Sequence, residues 1–84
     1  MSKEVFKNTS GTVTLFAFAE GQGLSEHKTP YDALVYIVDG EAEITISGTP
    51  NVVKAGEIIY MPAGEPHALK ASKQFKMLLT MMKA

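Results

Sequence analysis

Hydrophobic and polar positions alternate in short runs along most of this chain, and turn-forming residues interrupt the runs every few positions. From Thr12 to Glu20, Val13, Leu15, Ala17 and Ala19 fall on one side, with Thr12, Thr14, Phe16 and Phe18 on the other. Successive side chains of a strand point to opposite faces, so this alternation predicts a β-strand. Phe16 and Phe18 make its second face apolar as well, and such a strand needs cover on both sides, from a second sheet or another subunit.

The same reading predicts a short lead strand at Glu4 to Phe6, then strands at Ala33 to Val38, Glu41 to Ser47, Val52 to Lys54, Ile58 to Met61, His67 to Lys70 and Phe75 to Met82. Ala33, Val35 and Ile37 are expected to share the interior with Ala42, Ile44 and Ile46. Leu24 to Tyr31 reads as an extended or turn-like connection, because Pro30 pushes Thr29 away from helical angles. Asp39-Gly40 reads as a hairpin turn between its flanking strands. Gly48-Thr49-Pro50-Asn51 reads as the next turn, and Pro62-Ala63-Gly64 as another. No stretch carries helical spacing with start and stop signals. The expected class is all-β: a single antiparallel β-barrel or double-sheet jelly roll spanning residues 1–84.

Composition narrows what such a barrel can do. Eight basic against nine acidic residues leave a net charge of −1, and the lysines are interspersed with acidic residues. A nucleic acid or an anionic membrane would call for a basic patch, so neither partner is expected. Cysteine is absent, which removes disulfides, thiolate nucleophiles and thiolate metal ligands; any metal must be held by nitrogen or oxygen. Met1 to Lys7 lacks the apolar core of a signal peptide, and no apolar run is long enough to span a bilayer, so a cytoplasmic location is expected. At 84 residues the core is small enough that a partner chain would help stabilise it.

Two stretches carry candidate chemistry. Gly56-Glu57-Ile58-Ile59-Tyr60-Met61-Pro62-Ala63-Gly64-Glu65-Pro66-His67 combines a turn, a short apolar strand, a second turn and a histidine. Gly21 to Gly40 carries His27. The Gly21-Gln22-Gly23 start is not a dinucleotide loop, because Glu26 stands where a third glycine belongs and no strand–helix–strand pattern surrounds it. The first stretch resembles the second motif of the cupin superfamily at Gly56, Pro62, Gly64 and His67, with Ala71 where that family has asparagine. The second stretch resembles the first motif at Gly21, His27 and Gly40, with Thr29 at the place of a second histidine and Ala33 at the place of a glutamate.

The resemblance implies a small conserved-barrel cupin, dimeric as cupins often are, with His27 and His67 meeting at the barrel mouth. It implies half of the usual metal ligands, His27 and His67, for a divalent ion such as zinc, nickel, iron, manganese or copper. Asp32 is the leading third donor by charge, with Glu26, Tyr31 and Tyr60 behind it. In a regular strand, however, Asp32 points away from the face of Ala33. Each feature also has a plainer role: the histidines as hydrogen-bonding residues at the mouth, Asp32 in a turn, the tyrosines on strand surfaces, and Met61, Met77, Met81 and Met82 as packing.

Three functions follow as expectations. The first is a module that binds a small molecule, with or without a divalent metal, at the barrel mouth. The alternative is a metal-dependent enzyme of the oxygenase or isomerase type using His27 and His67. The third is an accessory subunit acting by association alone, which requires a barrel filled by its own side chains. The apolar second faces of the Phe16–Phe18 and Leu78–Met82 stretches point to a homodimer.

Overall fold

The computed structural model describes residues 1–83. Its described residues form eight strands: β1 (Ser2–Asn8), β2 (Gly11–Phe18), β3 (Gly23–His27), β4 (Asp32–Ile46), β5 (Thr49–Lys54), β6 (Ile58–Met61), β7 (His67–Lys70) and β8 (Phe75–Met82). All pairings are antiparallel, in the order β1-β2-β8-β4-β7-β3, with β5 and β6 also on β4. The all-β expectation holds. Among the described residues no helix is long and apolar enough to cross a membrane.

The curl of the sheet comes from β4, and here the sequence reading needs correction. Asp39-Gly40 does not close a hairpin. The strand continues through it, and its two ends belong to different halves of the sheet. Ala33 to Tyr36 pair with β6 and Asp32 to Ile37 with β8, while Glu41 to Ile46 pair with β5 and Glu43 to Ile46 with β7. A register shift between Ile37 and Asp39 marks the corner, as bulges do where a strand bends from one sheet to another. The positive φ of 83° at Gly40, the signal that suggested a hairpin, instead serves this bend. The turn Lys54–Glu57 braces it: Gly56 N–H donates to Ile37 O at 2.8 Å and Ala55 N–H to Gly40 O at 3.0 Å.

Three smaller corrections follow the same logic. Leu24 to His27 is extended, not turn-like, and is a strand because it finds a partner in β7. The turn between β4 and β5 is Ser47-Gly48, with φ of 49° and 82°; two positive φ values are what a two-residue turn between twisted strands requires. Thr49 to Asn51, expected as turn, therefore lies in β5. Phe16 and Phe18 face inward, not toward a partner: they stack at 5.8 Å, and Phe18 stacks on Phe75 at 4.9 Å.

The expected interior is otherwise confirmed. Ala33, Val35, Ile37, Ala42 and Ile44 are buried, with Phe75 and Met77 from β8 and Ile46 packed against them. The lead strand extends over Ser2–Asn8, and Asn8 Oδ1 accepts from the N–H groups of Ser10 and Gly11 at 2.8 and 3.0 Å, closing the turn into β2.

Candidate functional site

The loop Pro62–Pro66 places His67, and three contacts fix the loop. Ala63 N–H donates to Asp32 Oδ1 at 3.0 Å, Gly64 N–H donates to the Thr29 carbonyl at 2.9 Å, and the Pro66 carbonyl accepts from Ser47 N–H at 2.8 Å. The Ser47 hydroxyl also bonds the Glu65 carboxylate. The chain then enters β7 with His67 paired to Ile46 on one side and to His27 on the other. His67 is 3% exposed, the one buried polar residue of the described core, whereas His27 is exposed.

The two rings meet edge to face, with His27 Nε2 and His67 Nε2 3.1 Å apart. Each Nδ1 faces a backbone carbonyl: His27 toward Ser25 O at 2.8 Å and His67 toward Glu65 O at 3.2 Å. A carbonyl only accepts, so each Nδ1 must carry hydrogen to bond it. Three contacts, two Nδ1–O and one Nε2–Nε2, thus call for three N–H hydrogens, and two neutral imidazoles supply two. The missing positive end between the Nε2 atoms has to come from a proton, a cation or a donor group on a ligand. Burial pushes the His67 imidazole below the ordinary histidine value, the His27 ring pushes it the same way, and the bond to Glu65 O opposes both.

Behind the pair lies an apolar cavity of about 320 Å³, walled by Phe16, Leu24, Ala33, Met61, Leu69 and Met77, with Leu79, Met81, His27, Thr29 and His67 completing it. A barrel filled by its own side chains, the condition for a purely associative role, is not what the fold provides. Three of the four methionines singled out in the sequence, Met61, Met77 and Met81, line this space. The sequence reading missed Leu24, Leu69 and Phe16 as cavity residues. Their alternation was visible, but whether an inward position meets a neighbour or a void depends on how the two halves of the sheet curl.

The donor set meets the demands of a metal only in part. Two nitrogens 3.1 Å apart can both lie within the ~2.0–2.1 Å of a metal–imidazole bond. Thr29 and Ala33 line the same cavity and provide no strong donor. Asp32, the leading third donor by sequence, is turned away: its carboxylate accepts from Ala63 N–H and from Tyr60 OH at 2.8 Å, and these bonds hold it below the usual carboxylate range. Tyr60 is tied to the same bond. No group of three or more His, Cys, Asp or Glu capable of holding a metal occurs among the described residues. Of the tyrosines, Tyr36 and Tyr60 are exposed and absent from the cavity, and Tyr31 lines a neighbouring one.

Residues 14–82 match the family model described as Cupin domain. A conserved protein of unknown function from Streptococcus pyogenes is 40% identical with a TM-score of 0.95, over 100% of this chain and 74% of that one. A cupin superfamily protein from Desulfitobacterium hafniense is 28% identical with a TM-score of 0.95, over 100% of this chain and 77% of that one. A Cupin 2 conserved barrel domain protein from Leptotrichia buccalis is 39% identical with a TM-score of 0.95, and this chain spans 99% of its own length but 40% of that protein's. No curated protein sequence matches this chain.

Proposed function

The chain belongs to the Cupin domain family, and from that premise we propose that it binds a small, largely apolar molecule in the barrel, with the His27–His67 pair as the polar anchor at the mouth. The observation that carries this reading is the apolar cavity of about 320 Å³ closed on one side by two imidazoles whose Nε2 atoms face each other with one hydrogen too few. Pockets of this kind, mostly apolar with a few convergent polar groups, suit small ligands. A hydroxyl or N–H donor on the ligand supplies the missing hydrogen.

No resident metal is required. The facing Nε2 atoms favour a second, weaker mode, in which a divalent ion is held by His27 and His67 with water or an external anion completing its shell; two neutral imidazoles make for modest affinity. Catalysis of the oxygenase or isomerase type rests on no residue beyond this pair and is not part of the reading.

A second copy of the chain covers the outer face of the β1-β2-β8-β4-β6 half. Registers place Lys3, Leu15, Leu78, Tyr36 and Ile58 in one outward row, and Phe6, Val13, Thr80, Leu34 and Tyr60 in the next. Apolar and aromatic side chains dominate both rows, and Ile58 is 60% exposed. An apolar sheet face of this extent supports a homodimer.

The ligand reading is tested by calorimetric titration of 1-octanol into the native chain and into Ala33→Leu, which fills the cavity from a residue that is 1% exposed. Saturable binding to the native chain that Ala33→Leu weakens at least tenfold is expected. Absence of binding to the native chain overturns the reading.

A further inference from the structure

Lys7, Thr12, Met81 and Ala33 form one row across four adjacent strands, since Lys7 pairs with Thr12, Thr12 with Met81 and Met81 with Ala33. Residues directly opposite on antiparallel strands share a face, and the buried Ala33 identifies that face as the interior. Lys7 therefore stands on the inner side of the sheet. One step beyond, Lys83 N–H donates to Ser10 O at 2.8 Å and prolongs the β2–β8 ladder. The two-residue period brings Lys83 and Tyr31 to the same side as Met81.

These residues line a second cavity, of about 340 Å³, with Lys7, Asn8, Thr12, Tyr31, Met81 and Lys83 in its wall. Met81 is common to this cavity and to the apolar one. The lining includes two lysines and, among the described residues, no Asp or Glu. The Asn8 carbonyl oxygen is already taken by two backbone N–H groups. Thr12 Oγ1 is buried and has no hydrogen-bond partner among the described residues, and with so little open surface it is a cost to the fold, not a ligand contact. Two lysines at the edge of an apolar cavity suit an anionic group carried on an apolar body.

We propose that this lobe is a carboxylate subsite, and that the molecule bound is an amphipathic carboxylic acid: its apolar part in the barrel cavity and its carboxylate between Lys7 and Lys83. The inference rests on the cavity of the ligand reading above, not on its histidine anchor, and adds the class of ligand.

The test compares 1-octanol with octanoate, equal in chain length, by calorimetry on the full chain at low salt and pH ~8.5, above the ordinary imidazole range of about 6.5. Octanoate is expected to bind roughly tenfold tighter than octanol, and only octanoate to weaken as salt screens its charge. Lys7→Gln and Lys83→Gln should each weaken octanoate about threefold, the scale of an exposed ion pair, and the double variant should erase the preference while leaving octanol unchanged. Equal binding of the two probes to the native chain, or a preference that survives loss of both lysines, overturns the subsite while the cavity stands. Binding of neither probe overturns both readings.

Discussion

Gly40 lies directly opposite Phe75 across the β4–β8 pair, so close that a Cβ on Gly40 would sit 2.9 Å from the Phe75 Cβ and overlap the Gln74 carbonyl oxygen. The corner at which β4 passes from one half of the barrel to the other depends on that approach, and on a φ of 83° that residues with a side chain rarely adopt. Gly40→Ala combines backbone strain with overlap against a fully buried neighbour. Its expected cost is about 2–4 kcal/mol, read as a shift in the urea midpoint. Gly48→Ala has the same sign of φ but nothing within 4 Å of its Cβ, and it should cost about 1 kcal/mol.

His67 gives the barrel a pH dependence of predictable sign. Its folded-state value is lowered, chiefly by burial, so below the unfolded value of about 6.5 the unfolded chain binds the proton more readily than the native one. Stability is therefore complete above that pH and is lost as pH falls from it toward the lower folded value. Thermal unfolding at steps from pH 8 to 5 should show a flat melting temperature above pH ~7 and a decline below pH ~6.5. In His67→Gln the decline over pH 6.5 to 5 should be shallower than in the native chain; equal slopes would remove His67 as its source.

The outer face of the larger sheet half predicts the assembly. At micromolar protein, sedimentation equilibrium should give twice the monomer mass. Replacing Tyr36 and Ile58, which oppose each other on that face, by glutamate should give a monomer with an unchanged circular dichroism spectrum, because both side chains are already solvent-accessible in the single chain. A native chain that sediments as a monomer excludes the homodimer.

Strand positions were legible because alternation needs no knowledge of the partner: Val35, Ile37, Ala42 and Ile44 are where the pattern puts them. Pairing was not. Asp39-Gly40 carries the local signal of a hairpin, and a positive φ at Gly40 serves a hairpin and a sheet-switching bend alike; only the competing partners β6, β7 and β8 decide between them. Phe16 and Phe18 could face either way, since both faces of β2 are partly apolar, and Phe75 selects the inner one. At the site, the juxtaposition of His27 and His67 was implied by the resemblance to the two cupin motifs. The orientation of Asp32 away from Ala33 was readable from strand period, whereas its bonds to Tyr60 and Ala63 were not, because they join segments about thirty residues apart.

The vacated positions beside the histidines make the metal question decidable. Thr29 and Ala33 line the cavity that His27 and His67 close, so side chains installed there enter the same space. Thr29→His adds a neutral imidazole and Ala33→Glu an anionic carboxylate, bringing the protein donors from two to four, the number that structural zinc sites use. Calorimetric titration of zinc is expected to give weak binding to the native chain, weaker binding to His27→Ala and to His67→Ala, and a gain of at least a hundredfold in the Thr29→His, Ala33→Glu variant. Binding to the native chain should weaken in acid, since a protonated imidazole cannot ligate. Ala33→Glu alone buries a carboxylate at a position that is 1% exposed and should lower stability in the absence of metal, with zinc restoring it by mass action. If the single alanine variants hold zinc as tightly as the native chain, the histidines are not its ligands; if the fourfold donor set gains nothing, the two halves of the sheet do not bring these positions to one point.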